Sequence, residues 1–228
     1  MTTTLNSKQN KSDFLIALYF FCIIVAELMG SKTFPIFNFF GFNLTGSVGI
    51  FLIPWIFSIN DIFTEVFGVE RSKNLAKTSV FIVFIMILFS MMAIALPPSK
   101  RFLPMEESYE KIFSQSIRIS IASLIAIAVS NFLDISVFSK LKKMMGKQKL
   151  WFRNNLSNLL AVFFDTFIFM TIAFYSTTTS LNANMTFLWG IILPYWFLKT
   201  IMSVVSTPFV YLGIKWLNKK EKYENSKL

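Results

Sequence analysis

Five carboxylates stand within or against long apolar stretches of this sequence: Glu27, Asp61, Glu65, Asp134 and Asp165. Arg118 and Lys199 interrupt the same stretches, and Arg71 and Arg153 sit at their edges. A charged side chain placed in hydrocarbon costs at least ~2.5 kcal/mol, so each of these needs a partner, a watery cavity or a task. There is no histidine, which removes histidine triads, HExxH metal sites and histidine proton relays together. No Ser-Lys or paired-Asp protease motif is present, so the chain reads as a non-enzyme, with no cofactor and no metal site expected. What remains is recognition and charge movement by carboxylates, amides, Lys and Arg.

Each position carries two readings. Asp165, near the middle of its run, is either functional or a structural pair to Lys199 or Arg118. Asp61 and Glu65 reach membrane depth if their helix runs on, and are ordinary solvated charges if it ends at Asn60. Asp134 either serves the site or pairs with Lys140 or Lys142. Glu27, one turn from the end of its run, is a coupling or charge-pair group that could instead snorkel to the interface. Lys199 lies too deep to snorkel, and neutralises a carboxylate or meets a ligand.

The elements that must hold these groups are set by composition. Hydrophobic residues make up 54% and aromatic residues 17% of 228 positions, more apolar surface than a soluble core of this size buries. Windows of 17 to 25 apolar residues predict six spanning helices, at 14–29, 44–67, 79–96, 117–138, 156–175 and 187–212. The expected fold is therefore an all-α polytopic membrane protein. It has a polar N-terminal stretch over 1–13 with no removable signal peptide, a six-helix transporter domain over 14–213, and a basic tail over 214–228. Pro194, Lys199 and Pro208 predict a kink in the last helix. Lys and Arg in the connecting segments alternate, giving sixteen on one side against four on the other. Both termini are thus expected in the cytoplasm, and the basic 140–153 loop is read as a topology signal and not as a nucleic-acid site. Cys22, the single cysteine, excludes an internal disulfide and reads as a small buried hydrophobe.

Helical spacing gathers the polar groups into stripes. Pro54, Ser58, Asp61 and Glu65 share one face, as do Ser120, Ser123, Ser130, Asn131 and Asp134. Asn154, Asn158 and Asp165 form another stripe, and Lys199, Ser203 and Ser206 a fourth. Facing one another they would line a central cavity; the alternative is that Ser and Asn only stitch helices together.

Three strings carry a resemblance. They are Asp61-Ile62-Phe63-Thr64-Glu65-Val66-Phe67-Gly68 with Arg71, then Arg118 with Ser123 and Asp134, and then Leu150-Trp151-Phe152-Arg153-Asn154-Asn155-Leu156-Ser157 leading to Asp165-Thr166. Over about residues 14–213 the chain resembles the queuosine precursor transporter family, also called vitamin-uptake-transporter-like. The resemblance implies uptake of a 7-deazaguanine-like base across the bacterial inner membrane, with a small-molecule substrate, lipid surroundings and no direct nucleic-acid contact. A guanine-like edge offers donors that a carboxylate accepts and a carbonyl that wants a cation or amide. On that reading Asp61, Glu65, Asp134 or Asp165 accept, Asn131, Arg118, Arg153, Asn154 or Asn155 donate, and Trp55, Phe63 or Trp151 stack. The chain departs from the family at Asn131, where Gln is usual, and at Ala161-Val162, where Ser-Gln is usual. A stand-alone secondary carrier is expected. The alternative is the substrate-binding subunit of an energy-coupling-factor importer, whose usual small-xxx-small face on the first helix is missing here, while Ala122 and Ala126 place one on the fourth.

Overall fold

The computed structural model describes the backbone over 2–39, 42–145 and 150–218, and side chains over 8–35, 46–129, 159–160, 162–202 and 208–218. Six α-helices are present among these residues: α1 Thr2–Met29, α2 Ile53–Phe67, α3 Val69–Ala95, α4 Leu103–Met145, α5 Leu150–Phe174 and α6 Leu181–Asn218. Helices dominate because lipid offers no partner to a backbone amide, so each segment must satisfy its own. Among the described residues five helical segments are long and apolar enough to cross a membrane: Lys8–Met29, Val48–Phe67, Val69–Ala95, Leu103–Val129 and Leu181–Met202. The apolar part of α5 with described side chains is the shorter Val162–Phe174.

The solvent is legible in α3. Its buried stripe is Ser72, Leu75, Ser79, Val83, Ile87 and Ser90, while Phe81, Phe84, Leu88, Phe89 and Met92 are exposed. Small and polar residues inside with large apolar ones outside is the pattern of a helix packed in a bundle and bathed in lipid tails.

Two expectations need correction. The fold is not wholly α, because Thr33–Phe39 (β1) pairs antiparallel with Phe42–Ser47 (β2). This hairpin takes 44–47 away from the expected second span, which instead begins with a 3₁₀ turn at Val48–Phe51. The register slips between Pro35 and Phe37, as expected where proline cannot donate to a ladder. Ser47 then joins the pieces: its hydroxyl donates to Gly30 O at 2.7 Å and accepts from Gly49 N at 3.2 Å, closing the end of α1 and opening the turn into α2. The second correction concerns α4, whose 43 residues span about 65 Å at 1.5 Å per residue. Most of the 97–116 segment between the third and fourth expected spans is therefore helix. The polar 1–13 stretch is likewise helical from Thr2 onward and continuous with the first span, and α6 stays helical through Pro194 and Pro208.

Helix α2 runs on past Asn60 to Phe67 and reverses into α3 through a single residue, Gly68, at φ 87° and ψ 162°. Only glycine takes that region without strain. The clasp is completed by Ser72 Oγ donating to Asn60 Oδ1 at 2.8 Å and by Arg71 lying 4.8 Å from the Phe67 ring centroid. A Cβ at Gly68 would meet nothing within 4 Å, so Gly68→Ala isolates the backbone term. We expect it to destabilise the protein by roughly 1–3 kcal/mol, read as a lower melting temperature in detergent, with Gly68→Asn no better tolerated because asparagine's allowance is for αL and not for this region.

Two larger cores and a smaller cluster of Ile119, Ala122 and Ala173 between α4 and α5 hold the bundle. Leu15, Tyr19, Ile59, Ile62, Phe63, Leu75 and Leu217 join α1, α2, α3 and the end of α6. Ile50, Met170, Leu188, Ile191, Ile192 and Tyr195 join the 3₁₀ turn, α5 and the first half of α6.

Candidate functional site

Tyr19 of the first core and Tyr195 of the second both line a cavity of about 770 Å³, together with residues of α1 to α6. That size suits a small organic ligand. From α1 come Tyr19, Ile23, Ala26 and Glu27, one face at helical spacing, with Gly30 just past its end; α5 contributes Val162, Asp165 and Phe169, and α6 contributes Tyr195 and Lys199.

Asp165 and Lys199 meet across α5 and α6, with Lys199 Nζ 2.8 Å from Asp165 Oδ2 and side chains 26% and 13% exposed. Lys199 Nζ also lies 5.6 Å from the Tyr195 ring centroid and 6.0 Å from that of Phe169. The ammonium is thus held between a carboxylate and two aromatic rings, with the ion pair opening on the cavity. Tyr195 stands within electrostatic reach of both Asp165 and Glu27.

Glu27 does not snorkel. Its side chain turns inward, 9% exposed, and the hydroxyls of Ser120 and Ser123 on α4 face its carboxyl. Glu27 Oε2 and Ser120 Oγ are both buried without a hydrogen-bond partner among the described residues.

The other expected site residues lie elsewhere. Asp61 and Glu65 are helical but exposed, and neither lines the cavity. Phe63 is 1% exposed inside the first core, so no ligand can stack on it, and Trp55 packs on Phe209 with centroids 5.9 Å apart, also away from the cavity lining. Arg118 serves the end of α5: its Nε donates to Ile172 O at 2.8 Å, its guanidinium also donates to Tyr175 O, and Gln115 donates to Ala173 O at 3.3 Å. Asn131, Asp134, Arg153, Asn154 and Asn155 belong to α4 and α5, but their side chains fall outside the described residues, as does that of Trp151. Ala122 is fully buried against Ala173 of α5, so this part of the small-residue face is used within the chain. Val162, where the resemblance led to an amide, lines the cavity one turn before Asp165.

Tyr195 and Phe169 were not singled out from the sequence. The signal was available, since each lies four residues from a charged member of the ion pair and so shares its helix face.

A multi-pass membrane bundle enclosing a cavity with a carboxylate and an ammonium on an aromatic wall is the architecture of a solute transporter. The family described as "Putative vitamin uptake transporter" matches residues 47–213, and the chain belongs to that family. It is 27% identical over 206 residues to a "Probable queuosine precursor transporter" of Bacillus subtilis (strain 168), covering 89% of this chain and 84% of the relative. A protein of the same description from Haemophilus influenzae (strain ATCC 51907 / DSM 11121 / KW20 / Rd) is 29% identical over 147 residues, 64% of this chain and 59% of its own length. No solved structure matches the chain.

Proposed function

We propose that this protein imports a queuosine precursor, a base of the 7-deazaguanine or queuine class, as a stand-alone secondary carrier of the bacterial inner membrane. Six spans with both termini in the cytoplasm complete the reading. The observation that carries it is the Asp165–Lys199 pair on the aromatic wall of the cavity. A guanine-like edge places N–H donors beside a carbonyl, and a carboxylate beside an ammonium is its complement. Asp165 accepts from the ring N–H and exocyclic amine, Lys199 donates to the carbonyl, and Tyr195 or Phe169 covers a ring face. Asn131, Asp134, Arg153, Asn154 and Asn155, on the two helices that pack most extensively on each other, supply further polar contacts, while Asp61, Glu65 and Arg118 are left out of the contact set. The names of the relatives support the ligand class.

The test is uptake of radiolabelled deazaguanine precursors and queuine by bacteria that neither make nor import them, expressing this chain alone. Queuosine is expected to reappear in transfer RNA. If the inserted protein restores nothing alone but does so with added ATPase and scaffold subunits, the energy-coupling-factor reading replaces the stand-alone carrier; no uptake in either case overturns the ligand.

A further inference from the structure

We infer that Glu27 is the proton-carrying group of this transporter, so that a proton gradient drives accumulation of its substrate; the substrate part of this rests on the function proposed above. Among the described residues two carboxylates reach the cavity from the helices, and the structure treats them differently. Asp165 has its charge met by Lys199 at 2.8 Å. Glu27, 9% exposed, has no ion-pair partner among the described residues, and its Oε2 is sealed without a hydrogen bond.

The groups that face it are hydroxyls: Ser120 and Ser123 of α4 at its carboxyl, and Tyr195 of α6 within electrostatic reach. The remaining titratable groups lining the cavity are Tyr19, Lys73, Lys77, Asp165 and Lys199. Of these cations Lys199 is paired with Asp165, while Lys73 and Lys77 are exposed and neither forms an ion pair with Glu27.

A carboxyl that holds a proton can donate its O–H to a serine Oγ. When the proton leaves, the serine O–H groups rotate and donate to the carboxylate instead. A hydroxyl is both donor and acceptor, so this surround accommodates either state, whereas a lysine partner would hold Glu27 as the anion. The step is simple proton transfer: hydronium entering from one face gives up H⁺ to the Glu27 carboxylate, leaving water, and the proton returns to water when the cavity opens to the other face. Tyr195 lies in the field of Glu27 and of Asp165 alike. That gives substrate and proton a common point of contact.

The test uses the full-length protein in liposomes. Infrared difference spectra between low and high pH are expected to contain the carbonyl stretch of a protonated carboxyl, lost in Glu27→Gln and retained in Glu27→Asp; a band unchanged in Glu27→Gln overturns the assignment whatever the substrate. In the same liposomes, an inside-alkaline gradient is expected to raise precursor accumulation in the wild type at least tenfold. Glu27→Gln is expected to exchange external for internal precursor without concentrating it, and Glu27→Asp to recover part of the gradient response. Gradient-driven accumulation persisting in Glu27→Gln overturns the proposal. A Glu27-dependent band in protein that exchanges no deazaguanine supports the proton site and overturns the substrate reading alone.

Discussion

Asp165→Asn is expected to reduce precursor uptake by roughly 30- to 100-fold, the equivalent of about 2–3 kcal/mol for a lost charge-assisted contact. The variant removes the acceptor offered to the base and leaves Lys199 unpaired in the bundle interior. Breaking a fully buried ion pair by removing one partner costs about 3–5 kcal/mol. Here the carboxylate is 26% exposed and the ammonium 13%, so the cost to stability is smaller, on the order of 2 kcal/mol. A stability loss alone would also lower uptake, and the double variant Asp165→Asn with Lys199→Gln separates the two effects. It leaves no orphan charge, so its melting temperature is expected to return toward the wild type. Its uptake is expected to stay low, because the edge-reading groups are gone. Recovery of uptake in the double variant would make the pair structural and remove it from the binding site.

Arg118→Ala carries the second large effect, of the opposite kind. In α4, Arg118 donates to the carbonyls of Ile172 and Tyr175 at the end of α5, where a helix has acceptors with no intrahelical donor and the negative end of its dipole. Hydrogen bonds to a charged group contribute about 1.5–3 kcal/mol each, and the two share one side chain, so a destabilisation of roughly 2–4 kcal/mol is expected. It would be measured as the melting temperature of purified protein and as resistance to proteolysis at 175–180. Arg118→Lys would recover little, since a point charge cannot span two carbonyls as a planar guanidinium does. Transport in the fraction that remains folded is expected to keep its substrate affinity. A weakened apparent affinity with unchanged melting would instead return Arg118 to the substrate contacts, as its place in the family-like strings suggested.

The string from Asp61 to Arg71 shows how much structural work a family-like motif can carry. The family resemblance and the acceptor chemistry of carboxylates offered a binding role for Asp61 and Glu65. Folded, Ile62 and Phe63 fill a core, Gly68 reverses the chain, Asn60 and Ser72 clasp α2 to α3, and the two carboxylates are exposed. Helical spacing places residues on a common face, but it cannot say which face looks inward when every face is largely apolar.

What the sequence by itself determined was the solvent and the inventory: apolar runs too long and too many for a water-soluble core, and a short set of charges too costly to leave in lipid without purpose. It also determined that Asp165 and Lys199 were candidates for one another, since opposite charges at similar depth in neighbouring runs lower each other's cost. Tertiary structure alone decided that this pair forms, that Arg118 goes to the carbonyls of α5, and that Glu27 faces serine hydroxyls with no cation paired to it among the described residues. It also decided that Thr33–Phe39 pairs with Phe42–Ser47, a contact between two strands that no helical or apolar periodicity announces. The reason is common to all four: each depends on which helix or strand lies beside which, and that is settled by packing between segments distant in the chain, not by any property of a segment alone.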